Sequence, residues 1–103
     1  MINITYKLDN GTYTYLKVTG HAQFEDVGKD LICASVSSIF YGLMNALDEI
    51  KDGVTIHDNE DQGIEIIIDT DNEKVQNYIE LVLTQLKTIE FSYKEFIRIK
   101  ERK

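Results

Sequence analysis

The sequence predicts an α+β fold: two helices packed on a mainly antiparallel sheet of roughly five strands, in one domain spanning 1–103. Three observations carry that prediction. Two pairs of alternating apolar runs are each joined by a short turn-forming segment, the pattern of hairpins rather than parallel crossovers. Two longer stretches repeat apolar residues at three- and four-residue steps, the period of a helix with one buried face. A content of 43% hydrophobic residues, with six tyrosines and four phenylalanines, supplies a core. A chain of this length buries roughly 65% of its unfolded surface and needs no covalent staples.

In chain order the elements read strand, strand, helix, strand, strand, helix, strand. "INITYKL" alternates Ile2, Ile4, Tyr6 and Leu8 against polar neighbours. Asn10-Gly11 then supplies a turn whose two central positions want positive φ, and "TYTYLKVT" returns as the second strand, ending at Gly20. Residues 22–29 lack periodicity and read as a loop. From an N-cap at Asp30, a helix buries Ile32, Val36, Ile39, Phe40, Leu43, Leu47 and Ile50. Gly53 suits the left-handed position that ends it. "VTIHD" and "GIEIIID" form a second hairpin across "NEDQ", with Ile64, Ile66 and Ile68 on one face. "TDNE", Thr70 to Glu73, spells a capping box before a helix carrying Val75, Tyr78, Ile79, Val82, Leu86 and Ile89. "FIRIK" is the last strand and "ERK" a frayed basic tail.

Eighteen acids against eleven basic residues give a net charge of −7. That balance argues against a broad basic face for a phosphate backbone, so no direct nucleic-acid binding is expected. It suits a basic partner, or solubility alone. One cysteine cannot make an internal disulfide, which excludes a secreted disulfide scaffold. "MINITYKLDN" is polar by its third residue and no apolar run approaches the ~20 residues of a membrane span. A cytoplasmic protein without membrane attachment is the expectation.

Chemistry concentrates in "TGHAQFEDVGKDLICAS", residues 19–35, which holds the single cysteine and one of two histidines. With Asp30 as N-cap, Cys33 is the third helical residue, where unpartnered N–H groups and the helix dipole favour a thiolate. The intervening segment is long enough to double back and set His21 beside Cys33. Ser37 lies one turn beyond on the same face. Spacing alone leaves two readings open: a nucleophile with its base, or a packed cysteine and a loop histidine. Asp30 is then a helix cap or a group that orients His21. His57, inside "VTIHD", reads as a strand residue. No zinc spacing and no nucleotide-binding glycine loop occurs, so neither metal nor cofactor is expected.

Gly20-His21-Ala22, five residues, Gly28-Lys29-Asp30, then Leu31-Ile32-Cys33-Ala34 with Ser37 four places after the cysteine resembles the signature of the ribosomal-processing cysteine protease family, Prp (YsxB-like). The similarity runs over nearly the whole chain, including the "DT" step into the second helix and "LKTIEFSY" before the final strand. Leu31 and Ser35 are mild departures and touch no assigned role.

The resemblance implies a cytoplasmic bacterial endopeptidase, a homodimer, that removes a short N-terminal extension from large-subunit ribosomal protein twenty-seven during ribosome assembly. It assigns Cys33 as nucleophile and His21 as its partner, with Asp30 and Ser37 in support. A glycine-flanked loop, Gly20 through Ala22 to Gly28, is expected to be mobile until substrate binds. An apolar, aromatic-rich extension needs an apolar groove, for which Phe24, Tyr13 and Tyr15 are candidates. Two other classes compete: a non-catalytic ribosome-assembly or RNA-binding module, and a thiol sensor, which lacks a second cysteine in the chain to resolve it.

Overall fold

The structure is a computed structural model that describes residues 1–20, 27–59 and 62–103, with the backbone alone for 27–30. Among these residues the elements are β1 (Ile2–Asp9), β2 (Thr12–Thr19), α1 (Val27–Ile50), β3 (Val54–Asn59), β4 (Gly63–Ile68), α2 (Glu73–Ser92) and β5 (Ile97–Glu101). The expected order holds. The strands form one sheet, β3-β4-β2-β1-β5, antiparallel except that β5 runs parallel to β1. That exception follows from α2, which carries the chain across the sheet before β5 joins its edge. The half-buried Glu90 of α2 accepts from the Ile99 N–H of that edge strand at 2.7 Å.

Asn10 (φ 51°) and Gly11 (φ 80°) make the two-residue turn that the right-handed twist of β1 and β2 demands. The sheet's buried side chains all belong to one alternation: Ile2, Ile4, Leu16, Ile64, Ile66, Ile68 and Ile97. Against them pack Ile32, Val36, Phe40, Leu43 and Leu47 of α1, and Val75, Ile79, Val82, Leu83 and Leu86 of α2. Both helices therefore cover the same face, and no described residue of the opposite face is buried. Leu83 belongs to the core although the predicted stripe passed over it.

Several local expectations are corrected. α1 begins at Val27 rather than after Asp30, so the unpatterned stretch is shorter and Asp30 lies within the helix. The α2 cap is Asn72, whose side chain accepts from Lys74 N at 2.9 Å and Val75 N at 3.3 Å. Thr70, the expected cap, instead accepts from Asn72 N and donates to Asp52. At the end of α1, Lys51 already turns left-handed (φ 53°) before Gly53 does (φ 64°). A Cβ on Gly53 would stand 2.4 Å from the Asp69 carbonyl oxygen, so glycine is required there. Arg102 is not frayed, since its N–H donates to Tyr6 O at 2.7 Å. Finally, Leu31–Ile50 is long and apolar enough by composition to cross a membrane, contrary to expectation; its buried stripe lies on the sheet instead.

Candidate active site

β2 hands the chain to Gly20, which sits at φ 93° against the start of β1. A Cβ on it would come 2.1 Å from the Met1 carbonyl oxygen, so only glycine lets the two chain segments approach this closely. Beside this point α1 and the sheet part to leave a cleft of about 290 Å³. Cys33 and Ser37 line it from α1, Thr19 and Gly20 from the end of β2, and Asp58 and Asn59 from the end of β3. Phe40, fully buried, closes it toward the core.

Cys33, Ser37 and Gly20 thus share one cavity. His21, Ala22 and Phe24 lie outside the described residues. Gly28 and Asp30 fall in α1, so the expected loop ends before Gly28 and Asp30 is not the N-cap. Cys33 is consequently in the second turn, past the first four N–H groups that a helix leaves unpartnered. The dipole's pull fades within the first turn, so it contributes less to ionising the thiol than a third-position cysteine would gain. The side chain is half-buried, at the edge between the core and the cleft.

Tyr13 and Tyr15 do not line this cleft. Both belong to the start of β2, beside the Asn10-Gly11 turn, whereas the cleft adjoins the strand's end. Tyr13 packs by Tyr6, ring centroids 6.1 Å apart, and burial, then Glu80, raises its pKa. Tyr15 points to the other face, where its hydroxyl donates to Glu65 at 2.6 Å. Burial and that carboxylate push its pKa up to about 12. His57 is an exposed strand residue opposite Glu65.

Tyr41 and Asp58 are among the cleft residues that went unread in the sequence. Tyr41 follows Cys33 and Ser37 at i+8 and i+4, so the three form one ridge along α1. Asp58 continues the alternation Val54, Ile56 onto the helix-covered face. A carboxylate where the pattern asks for an apolar residue was the available signal. Among the described residues no three His, Cys, Asp or Glu side chains are grouped to hold a metal ion.

The sequence profile of the family described as "Cysteine protease Prp" matches residues 1–98. The chain belongs to that family. Its curated relatives include the ribosomal processing cysteine protease Prp of Bacillus subtilis, 33% identical over 98 residues that cover 88% of this chain and 87% of the relative. The Prp of Staphylococcus aureus is 32% identical over 94 residues, covering 88% and 89%. A crystal structure of the S. aureus protease with a covalently linked product peptide superposes with a TM-score of 0.86 at 29% identity, covering 99% of this chain and all of that one. A second, with a substrate peptide, gives the same TM-score at 27% identity and the same coverage. The chain is a cysteine protease, and Cys33 is its single cysteine.

Proposed function

We propose that this protease removes the N-terminal extension of large-subunit ribosomal protein twenty-seven during ribosome assembly, acting in the cytoplasm as a homodimer, with Cys33 as nucleophile and His21 as its proton partner. The observation that carries the reading is the cleft itself: the chain's one thiol faces a cavity also lined by Gly20, the residue preceding His21. The relatives' name, ribosomal processing cysteine protease, and the peptides bound to the S. aureus protein support the substrate class.

In this mechanism His21 accepts the Cys33 proton and the thiolate Sγ attacks the scissile carbonyl carbon. The oxyanion needs backbone N–H donors beside the sulfur, and Gly20, which lines the same cleft, is a candidate to supply one. Collapse breaks the C–N bond as His21 returns the proton to the leaving amine. Water, losing a proton to His21, then attacks the thioester and frees the thiol. Asp30, no longer at a cap, orients His21, and Ser37 hydrogen-bonds substrate one turn along the ridge. Tyr41, half exposed, offers the aromatic wall assigned before to Tyr13 and Tyr15. Incubation with the extended ribosomal protein, followed by intact-mass measurement, should show one new amino terminus. Its persistence with Cys33→Ala or His21→Ala protein would remove that residue from the chemistry.

A further inference from the structure

The face of the sheet that the helices leave uncovered is basic, although the protein as a whole is acidic. Residues 87–103 hold six of the eleven Lys and Arg residues but three of the eighteen acids. Pairing arranges that surplus. Across the strands, Lys100 of β5 stands beside Thr5 of β1, which faces Lys17 of β2. One rung along, Arg98 adjoins Asn3, opposite Thr19. One rung the other way, Lys7 pairs with Tyr15, and Tyr15 with the exposed Ile67. Arg102 completes the set, its guanidinium 5.7 Å from the Tyr15 ring centroid. Against these five cations, the described acids of the same strands on this face are Glu65, which accepts from the Tyr15 hydroxyl, and Asp9, at the hairpin tip, which accepts from the Thr14 hydroxyl at 3.2 Å.

We propose that this sheet face binds single-stranded RNA. Arg98, Lys100 and Arg102 recur at every second residue of one extended segment, so their side chains form a row about 6.7 Å apart, with Lys7 on the neighbouring strand about 4.8 Å to one side and Lys17 one strand further, roughly 10 Å away. Such a row tracks a phosphate backbone. The Arg102–Tyr15 stack and Ile67 between them form a flat platform on which bases stack, the second component of single-strand recognition. Net charge hides the site because it averages a cationic face with acids spread over the rest of the chain. The face lies across the sheet from the Cys33 cleft, so the proposal does not depend on how peptide cleavage proceeds.

The test is fluorescence anisotropy of a labelled mixed-sequence RNA of about 16 nucleotides, titrated with the full chain. Binding with Kd on the order of 10–100 μM is expected at moderate salt, and log K should fall against log salt with a slope near −3 for about four phosphates. The double variant Arg98→Glu/Lys100→Glu should bind at least tenfold more weakly. Lys51→Glu/Lys74→Glu, with the same charge change on the helix side, should bind within about twofold of wild type once bulk charge is screened. Arg98→Gln/Lys100→Gln gives the same reading with a smaller perturbation, and both sheet-face variants should keep peptide cleavage. Absent or salt-insensitive binding would overturn the proposal, as would equal losses in the two reversal variants. Equal affinity for polyglutamate and RNA would refute the assignment by another route. If the sheet-face variants alter self-association in sedimentation instead, the face pairs with a second copy and the RNA site is wrong.

Discussion

The two ends of the β1–β2 hairpin are built from the same alternating pattern and finish differently. At the Asn10-Gly11 end the layer between sheet and helix is closed. The Gln76 side chain accepts from Tyr13 N at 2.7 Å and donates to Tyr13 O at 2.9 Å and Thr70 O at 3.1 Å, locking α2 to β2. The Tyr6 and Tyr13 rings fill the remaining space, with Lys87 Nζ 5.4 Å from the Tyr6 ring centroid. At the Gly20 end, Cys33, Ser37 and Asp58 stand around a cavity where a closed layer would put apolar side chains. One end uses its polar groups to tie helix to sheet, and the other sets polar groups around an open cavity. A functional site in a small domain is sought where a regular apolar pattern gives way to polar groups around a cavity.

The sharpest way to break this contrast is Cys33→Ala. If the open end is the catalytic one, the variant should lose at least about 10⁴-fold in kcat on an extended-substrate peptide, as removal of a nucleophile does. Its thermal midpoint should stay within a few degrees of wild type, because a half-buried thiol contributes little packing. Retained turnover, or a collapse of the fold, would erase the distinction between the two ends.

Phe40 joins them, being fully buried in the core and also the inner wall of the cleft. Phe40→Ala should cost about 3–5 kcal/mol by urea unfolding, from lost burial and an unfilled cavity. It should also impair cleavage at temperatures where the variant is still folded, because the cavity beside Cys33 is enlarged. A loss below about 1 kcal/mol would mean that the cleft collapses to fill the space.

Gln76→Ala sharpens the comparison from the closed end. Three hydrogen bonds disappear and Tyr13 N loses its partner on an interior strand, so a loss of roughly 1–3 kcal/mol in urea unfolding is expected. Peptide cleavage in the folded variant should be unchanged, since none of these groups borders the cleft. A drop in kcat without a loss of stability would show that the ends are coupled.

How far these ends could be read in advance depends on how local their physics is. Asn10-Gly11 announced its turn because φ preference is a property of the residues themselves. The stripe from Ile32 to Leu47 announced α1 because its period repeats over the whole helix. The start of α1 did not declare itself: Asp26 is by type as good a cap as Asp30, but Val27 to Lys29 adds no apolar stripe and includes Gly28, so the later aspartate reads as the start. The α2 cap was misplaced for a related cause. "TDNE" satisfies the capping-box spacing, but Thr70 is drawn to Asp52 across the fold, which leaves Asn72 to cap. Gln76 was invisible because Tyr13, with which it makes two of its three hydrogen bonds, is 63 residues away. In the cleft, Cys33, Ser37 and Gly20 were legible through the Gly-His-Ala and Cys-Ala signature. Asp58 and Tyr41 belong to other parts of the pattern and meet Cys33 only in three dimensions.

The smallest expected effect belongs to Tyr15, on the face away from both helices. Burial and the hydrogen bond to Glu65 hold its hydroxyl protonated to a pKa of about 12, above the ordinary 10.0. Because ionisation is harder in the folded state, its contribution to stability is complete below pH 10 and is lost as pH rises from 10 toward 12. The stability gap between wild type and Tyr15→Phe in urea unfolding should therefore narrow across that window and stay constant between pH 7 and 9, below the usual phenol pKa of about 10. Spectrophotometric titration should show one fewer late-ionising phenol in the variant. A gap that keeps its size to pH 12 would mean that Tyr15 ionises like a solvent-exposed phenol, with its hydroxyl held no more firmly in the fold than in the unfolded chain.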